Sequence, residues 1–474
     1  MPGDRDASTE KAILLLLAAQ TVVFAVALYL TWIQVPFWDM LSFVDSYIDH
    51  RDVGDWFGYL WLPDNEHHSV WSRLLTVVEI EAFDGRGPTF QVFSAACLLG
   101  GAVAVCREFA RAGAPARFAR GVGALACMLF LTVPAAVDCA VPMNGGCVQV
   151  ASFQILSLVL LDGQGEAGKH PWLRRGLAVV AAAGASFGNA SGLLAWPILV
   201  WSAWRGRLCW PWRVGLAGLG IVFTAIYLSH LFADAPAMLA TAPQPAGLGK
   251  IADYALTYAG LPWTRSAVLA VPGRIVGAAL LVAAGVVLVR PGLARRPLPR
   301  LERICLGLIV FSLGTLVLAS VGRVDQSVEV AVPVRYTVLM MPLQVGLLGL
   351  LLRRAGRLGP RPRAMVGAAG FGLGLLLLAA QIPAAYAARA ASSNITATVQ
   401  RYMAGERDET MRRIVFPDLA EADRIVVRMQ QHGLYCWLVG PPDGGPAIGR
   451  ATPVSGTSAP PPAAAPACRR PPVR

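Results

Sequence analysis

The residues best suited to chemistry lie in a polar loop that follows the first long apolar run of the chain. Asp39 comes four residues after Val35, where we place the end of that run, and Phe37, Trp38 and Met40 surround it. A carboxylate held among apolar groups at the boundary between water and lipid is poorly solvated and becomes a better general base. Asp39 is therefore a candidate for deprotonating a hydroxyl at the membrane surface.

A second group of reactive side chains follows Pro63, which interrupts an aromatic segment. A helix predicted to begin near residue 68 would present its N-terminus, where backbone N–H groups favour an anion, to these side chains. They are Asp64, Asn65, Glu66, His67 and His68, with Arg73 following about one and a half turns later. Together they suit binding of a phosphate and deprotonation of a hydroxyl. Two other interpretations stay open: caps and interfacial salt bridges, or a metal site of Asp64, Glu66 and a histidine such as His67.

Composition shows which elements must position these groups. Hydrophobic residues make up 55% of the 474 residues, charged residues 15%, and the mean hydropathy is +0.53. The apolar residues form blocks long enough to span a hydrocarbon core of ~30 Å. We therefore predict an all-α polytopic membrane protein with about eleven transmembrane helices, interfacial helices in the first outer loop and a small C-terminal extracytoplasmic segment. The expected spans are 12–34, 89–106, 121–137, 147–161, 174–188, 191–204, 214–233, 267–289, 304–321, 336–352 and 364–386.

Basic residues set the expected orientation. Twenty Lys and Arg fall in the loops on one side of these spans and seven on the other, so the positive-inside rule makes the first side cytoplasmic. The net charge of +12 follows from this pattern and does not indicate nucleic-acid binding. We predict a bacterial cytoplasmic (inner) membrane protein, with the N-terminus inside and the C-terminal tail outside. The first apolar run lacks a signal-peptide cleavage pattern and is expected to remain as an anchor.

These elements divide the chain into four parts. Residues 1–11 form a cytoplasmic N-terminus, and 12–386 form the transmembrane domain with its first outer loop at 35–88. Residues 387–440 form a small extracytoplasmic segment, in which DLAEADRIVVRMQQHG predicts an amphipathic helix and LYCWLVG a short strand. Residues 441–474 are a Pro/Ala-rich tail expected to be disordered.

Two arginines run against the charge pattern, because they lie on the side that is poor in cations. Arg323 and Arg335 bracket the loop between the ninth and tenth predicted spans. Their guanidinium groups would suit the oxygens of a lipid phosphate or diphosphate. Pairing with Asp325, Glu329 or lipid headgroups is the alternative.

The nine cysteines include no C-x-x-C pair and no zinc-ligand spacing. Cys139 and Cys147 share one short loop, and Cys436 and Cys468 share the tail. Either pair could form a disulfide if it faces an oxidising compartment, and the sequence leaves both questions open.

The order of these motifs resembles the bacterial members of the GT-C superfamily, integral membrane glycosyltransferases that use polyprenyl-phosphate-linked sugars. The resemblance rests on Asp39 in FWDM, on Asn65-Glu66-His67 and on Arg73 in WSRL. It extends less specifically to SFGNASGLLAWP and to GRVDQSVEVAVPVRYTV, within 12–386. Met40 and His68 depart from the family pattern, which has a second acid and an arginine at those positions, and this puts a two-carboxylate mechanism and the activity itself in question.

The resemblance implies an inverting glycosyl transfer onto an envelope glycan, lipid or protein at the outer face. It implies catalytic roles for Asp39 and Glu66, and substrate binding by Asn65, His67, His68, Arg73, Arg323 and Arg335. The expected partners are a polyprenyl-phosphate-linked sugar donor, the acceptor and membrane lipids, without nucleic acid. No cofactor is certain, and a divalent metal is left open.

Two other functions compete with this one. A transporter or flippase of a lipid-linked or small substrate would place charges in mid-span and show paired repeats with broken helices, and the predicted spans show neither clearly. A non-catalytic envelope-assembly protein would use the loop to bind a partner. The cytoplasmic loops contain no G-x-x-x-x-G-K or G-x-G-x-x-G motif, which fits a donor that is not a nucleotide.

Overall fold

The computed structural model describes residues 2–63, 67–161, 170–240, 247–260, 263, 270–289, 298–323, 334–355, 357 and 359–439. Helices dominate these ranges. In chain order they are α1 (Pro2–Leu30), α2 (Asp39–Val53), α3 (Trp56–Trp61), α4 (Val70–Phe83), α5 (Thr89–Ala110), α6 (Ala116–Phe130), α7 (Val133–Ala140), α8 (Pro142–Leu160), α9 (Pro171–Ser186), α10 (Ala195–Arg205), α11 (Trp210–Ala240), α12 (Leu248–Gly260), α13 (Ala270–Leu288), α14 (Arg300–Arg323), α15 (Thr337–Ala355), α16 (Pro360–Met403), α17 (Leu419–Gln431) and α18 (Cys436–Val439). Three 3₁₀ turns lie at Ala190–Leu194, Val334–Tyr336 and Glu409–Arg413.

Eight of the described helices are long and apolar enough to cross a bilayer: α1, α5, α8, α11, α13, α14, α15 and α16. The bent pair α6 and α7, with a 46° bend, provides a ninth crossing if it acts as one span. The chain is therefore an all-α polytopic membrane protein, as predicted. The expected count of eleven also used 174–188 and 191–204, but α9 and α10 there have only 16 and 11 residues. At 1.5 Å per residue these helices are about 24 and 17 Å long, short of a ~30 Å hydrocarbon core.

The break between α6 and α7 falls inside the predicted span 121–137. The Thr132 side chain caps α7 by accepting from the backbone N–H of Ala135, and a proline follows in the first turn of α7. A break at membrane depth leaves backbone groups without helical partners. Two glutamines from other helices provide hydrogen-bond partners for these backbone groups. Gln20 of α1 donates to Leu131 O at 2.7 Å, and Gln381 of α16 accepts from Val133 N at 2.7 Å.

The C-terminal segment folds onto the first outer loop. Helix α16 has 44 residues, about 66 Å, so it crosses the membrane and continues beyond the predicted end at 386. Its far end leads to α17, which packs against α2 through Ile425 and Met429, in contact with a core that contains Leu41, Val44 and Ile48. The first outer loop and the C-terminal segment therefore lie on the same side of the membrane.

The predicted amphipathic helix is α17, whose buried side chains are Ala422, Ile425, Val426 and Met429. The predicted strand LYCWLVG is wrong, because Cys436–Val439 form the short helix α18. The apolar alternation of so short a segment did not distinguish a strand from one helical turn packed against a core.

The described cysteines answer part of the disulfide question. Cys139 and Cys147 are both buried and neither is disulfide-bonded, so this pair forms no bridge. Cys436 is disulfide-bonded, while Cys468 lies outside the described residues.

Candidate functional site

Asp39 is the first residue of α2, and the chain holds the preceding residue in an unusual conformation. Trp38 has φ 49° and ψ −132°, a backbone conformation that residues other than glycine rarely adopt. The C-terminal segment holds this conformation from two sides: Trp38 N donates to Val415 O at 2.7 Å, and the indole Nε1 donates to Arg413 O at 2.9 Å. Backbone strain of this kind persists only where surrounding contacts impose it. The C-terminal segment therefore positions the half-buried Asp39.

Arg335, about 300 residues further along the chain, lies within range of the charge of Asp39. It lies in the 3₁₀ turn before α15, with its guanidinium 5.5 Å from the centre of the Tyr336 ring. Burial alone would lower the pKa of Arg335, but Tyr336, Cys147 and the charge of Asp39 outweigh that effect and raise it. The first outer loop and the turn before α15 therefore meet at one end of the helices.

The SFGNAS turn between α9 and α10 closes a further side of this region. Asn189 caps the following 3₁₀ turn by accepting from Ser191 N at 2.9 Å, and its Nδ2 lies 3.5 Å from Cys147 Sγ. A Cβ added at Gly146 would lie 2.9 Å from Gly188 O, so the start of α8 and this turn approach closely only because both residues are glycine. The turn thus docks directly beside Cys147.

His67 connects the same turn to the first outer loop. Its Nδ1 accepts from Ala190 N at 3.4 Å, which leaves Nε2 to carry the proton of a neutral imidazole. The ring is partly exposed. Asp39, His67, Asn189 and Arg335 therefore all belong to elements that meet at the outer end of α8.

Buried tyrosines form an aromatic wall next to Arg335. Tyr258 of α12 lies 6.0 Å from Tyr254 and 5.4 Å from Tyr336, between ring centres. All three rings are buried. The packed rings therefore form an apolar wall on one side of the Arg335 guanidinium.

Arg73 lies away from this group, beneath α2 and α3. Its side chain is 2% exposed, with the guanidinium 4.9 Å from the centre of the Phe43 ring and 5.2 Å from that of Tyr59. Nη1 donates to Ser46 Oγ at 2.8 Å. Burial raises the pKa of Tyr59, and the nearby Arg73 charge partly offsets this. In this position Arg73 holds α4 to α2 and α3, and its predicted contact with substrate stays a prediction.

The His68 side chain is also buried in the protein interior. It is 1% exposed and stacks on Trp61, with ring centres 4.5 Å apart. Its Nδ1 lies 2.6 Å from Trp61 O and its Nε2 lies 3.2 Å from Tyr227 O. A protonated imidazole would donate to both carbonyl oxygens. His68 thereby anchors the first outer loop to α11.

The remaining predicted residues fall where the structure gives no side chains. Asp64, Asn65 and Glu66 lie outside the described residues, as do Asp325 and Glu329. Arg323 is described only as the last residue of α14. Among the described residues no three His, Cys, Asp or Glu side chains are grouped to hold a metal ion. The predicted metal site depends on Asp64 and Glu66 and stays a prediction.

Sequence reasoning missed several residues of this region. Asp138 of α7 is completely buried, and its carboxylate accepts from Asn144 Nδ2 at 3.3 Å. A carboxylate within an apolar run is itself an indication of a functional site, but the predicted span 121–137 ended one residue before it. Nothing in the sequence paired Trp38 with the backbone of Arg413 and Val415, because hundreds of residues separate them.

The acidic residues of α2 have partners on α17. Arg424 and Arg428 contact Asp45 at 2.6 and 2.5 Å, and Arg428 also pairs with Asp49. The hydrogen bonds that Arg424 donates to Glu421 and Asp45 raise the pKa of Arg424. These acids therefore dock the C-terminal segment on the loop that carries Asp39.

The chain was compared with protein-family models, curated proteins and solved structures. No protein-family model and no curated protein matches the chain. The crystal structure of ArnT from Cupriavidus metallidurans bound to undecaprenyl phosphate is similar over 90% of this chain and 76% of that chain, with 19% sequence identity and a TM-score of 0.42. A similarity of this size leaves the function to be inferred from the residues of the site.

Proposed function

We propose that this chain is a membrane glycosyltransferase that transfers a sugar from a polyprenyl-phosphate donor to an acceptor hydroxyl at the outer face of a bacterial cytoplasmic membrane. The observation that carries the proposal is that the first outer loop and the turn before α15 bring the half-buried Asp39 within range of the charge of the Arg335 guanidinium. A base beside a partly buried cation suits a reaction in which a hydroxyl loses a proton and a phosphate departs.

The proposed reaction is a single displacement with inversion. Asp39, or Glu66 outside the described residues, takes the proton of the acceptor hydroxyl while its oxygen bonds to C1 of the sugar. The bond between C1 and the phosphate oxygen breaks, and polyprenyl phosphate leaves with the electron pair. Arg335 stabilises the phosphate charge as it develops, because a guanidinium donates two parallel bonds to phosphate oxygens. The imidazole of His67 would add a further hydrogen-bond donor to the phosphate.

The remaining parts of the proposal concern orientation and acceptor. The excess of Lys and Arg on the opposite side supports an outward-facing site and an N-terminus inside. A site at the membrane surface would suit an envelope glycan, lipid or protein as acceptor. If the reaction needs a divalent metal, Asp64, Glu66 and His67 would hold it, and a chelator would then abolish transfer.

The test is an Asp39→Asn substitution in a deletion strain complemented with the gene. We expect loss of the glycosylated envelope product, accumulation of the polyprenyl-phosphate sugar in lipid extracts, and unchanged abundance of the protein in membranes. Asp52→Asn is the matched control, because its side chain is 55% exposed on the same helix. Wild-type envelope glycans and lipid pools in the Asp39→Asn strain, at normal protein abundance, would overturn the proposal in favour of a scaffold.

A further inference from the structure

A cleft lined by arginines lies at the end of the helices opposite Asp39. It has a volume of about 320 Å³ and is formed by the loop after α5, the start of α14 and the end of α15. Helix α5 begins next to the first outer loop and α14 ends near the turn that carries Arg335, so the other ends of these helices face the opposite membrane surface. No step of the proposed transfer uses this cleft.

Four guanidinium groups converge here from three separate segments: Arg111, Arg300, Arg353 and Arg357. The positive-inside rule explains why arginines occur on this face of the membrane. It does not explain why they line one cleft, since exposed like charges at close range repel each other. Their convergence therefore needs a counter-charge.

The carboxylates beside the cleft supply only part of that counter-charge. Glu108 is 2% exposed and contacts Arg111 at 2.8 Å and Arg300 at 2.7 Å. Glu302 contacts Arg353 at 2.8 Å. Among the described residues, two carboxylates thus pair with three of the four guanidinium groups, and Arg357 makes no ion pair with any of these residues.

The same carboxylates fix the geometry of the cleft. The Arg300 and Arg353 side chains are each only 18% exposed, so their guanidinium groups are held in place before any ligand arrives. Arg111, although paired with Glu108, is 65% exposed, and Arg357 is also exposed, so a ligand can reach both guanidinium groups. Two guanidinium groups held in place beside two accessible ones suit a small dianion, because preorganisation lowers the cost of ordering the site.

We propose that this cleft binds a phosphate group, either free in solution or as the headgroup of an anionic lipid. A phosphate carries up to two negative charges, which equals the excess of guanidinium over carboxylate among the described residues of the cleft, and guanidinium groups bind its oxygens in bidentate fashion. Basic pockets between transmembrane helices on the cytoplasmic side bind anionic headgroups by the same chemistry. The volume accommodates a small headgroup.

The experiment compares the full chain with Arg357→Gln, which breaks no ion pair among the described residues, and with Arg111→Gln/Arg357→Gln. The control is Arg207→Gln/Arg361→Gln, which removes the same charge from exposed positions outside the cleft on the same face. Binding of inorganic phosphate is measured by equilibrium dialysis. Retention of phosphatidylglycerol against phosphatidylcholine is measured by native mass spectrometry of the protein released from nanodiscs of defined composition.

We expect wild type and control to bind one of the two probes with equal affinity, and Arg111→Gln/Arg357→Gln to bind it at least tenfold more weakly, with Arg357→Gln in between. Selective loss of phosphate binding identifies a soluble ligand, and selective loss of phosphatidylglycerol identifies a lipid headgroup. Binding of neither probe, or an equal loss in the control, overturns the proposal. Neither result depends on transferase activity at the outer face.

Discussion

The contact between α2 and α17 makes a prediction that can be worked out from the structure. Asp45 accepts from Arg424 and Arg428 at 2.6 and 2.5 Å, and its side chain is 15% exposed. The Asp45→Asn substitution keeps the shape of the side chain and removes its charge. We expect it to weaken the docking of the C-terminal segment without changing the membrane helices.

The size of the effect follows from exposure. Exposed ion pairs contribute ~0.2–1 kcal/mol each, and Asp45 takes part in two. The Arg424 side chain is 47% exposed and Arg428 is 21% exposed, so solvent screens the first pair more strongly than the second. Arg428 also keeps Asp49 as a partner after the substitution. We therefore expect a loss of about 1 kcal/mol, roughly a fivefold change in the equilibrium between docked and undocked segment.

Hydrogen–deuterium exchange of the α17 amides in nanodiscs measures this opening. Exchange in Asp45→Asn should be about fivefold faster than in wild type at low salt, and the difference should shrink as salt screens the wild-type pairs. Asp52→Asn is the matched control, because its carboxylate lies 3.8 Å from His432 and is 55% exposed. We expect its exchange to stay within a factor of two of wild type, about 0.4 kcal/mol.

Two results would refute this reasoning. Equal acceleration by Asp45→Asn and Asp52→Asn would show that net charge, rather than the Asp45 pairs, controls docking. An Asp45→Asn effect that is just as large in an Arg424→Met/Arg428→Met background would show that the arginines are not its partners.

Three further predictions concern the first outer loop. Arg73→Met should lower the free energy of unfolding by about 2–4 kcal/mol, since it removes a buried charged donor to Ser46 and two cation–π contacts, and thermal unfolding in detergent should show this. Trp38→Phe should lower the transfer rate several-fold with little change in donor affinity. The reason is that the lost hydrogen bond to Arg413 O is worth about 1 kcal/mol and positions Asp39. Steady-state kinetics separate the effect on rate from the effect on affinity. Burial raises the pKa of Glu79 above its ordinary value of 4.5, so its protonated form favours the fold. Stability should therefore decline as pH rises from about 4.5 through the raised pKa, and unfolding curves of Glu79→Gln should lack this part of the decline.

The sequence predicts the local features of this fold well. Apolar runs locate the crossing helices, and the spacing of Ile425, Val426 and Met429 predicts α17. The boundary between the predicted spans 174–188 and 191–204 falls in the SFGNAS segment, where the structure has a turn between α9 and α10. The break before α7 was missed, although Thr132 followed two residues later by proline is a capping pattern that could have indicated it.

Contacts between distant segments could not be predicted in the same way. The sequence of the first outer loop does not indicate the partners of Asp45 and Asp49. Only the folded chain shows that these residues pair with α17. Likewise, Arg73 and His68 have the residue types of a phosphate site, but burial under α2 and against Trp61 decides what they contact. Residue type limits the chemistry, while the packing of distant helices determines which groups meet.

The central claim is that Asp39 and Arg335 act on one phosphorylated isoprenoid, and the affinity of the purified protein for polyprenyl phosphate in nanodiscs tests it most directly. Arg335→Gln should weaken binding at least tenfold, because a charged hydrogen bond contributes roughly 1.5–3 kcal/mol. Asp39→Asn should bind as tightly as wild type or more tightly, since it removes a negative charge near the phosphate. Unchanged binding by Arg335→Gln, or weaker binding by Asp39→Asn, would contradict the claim.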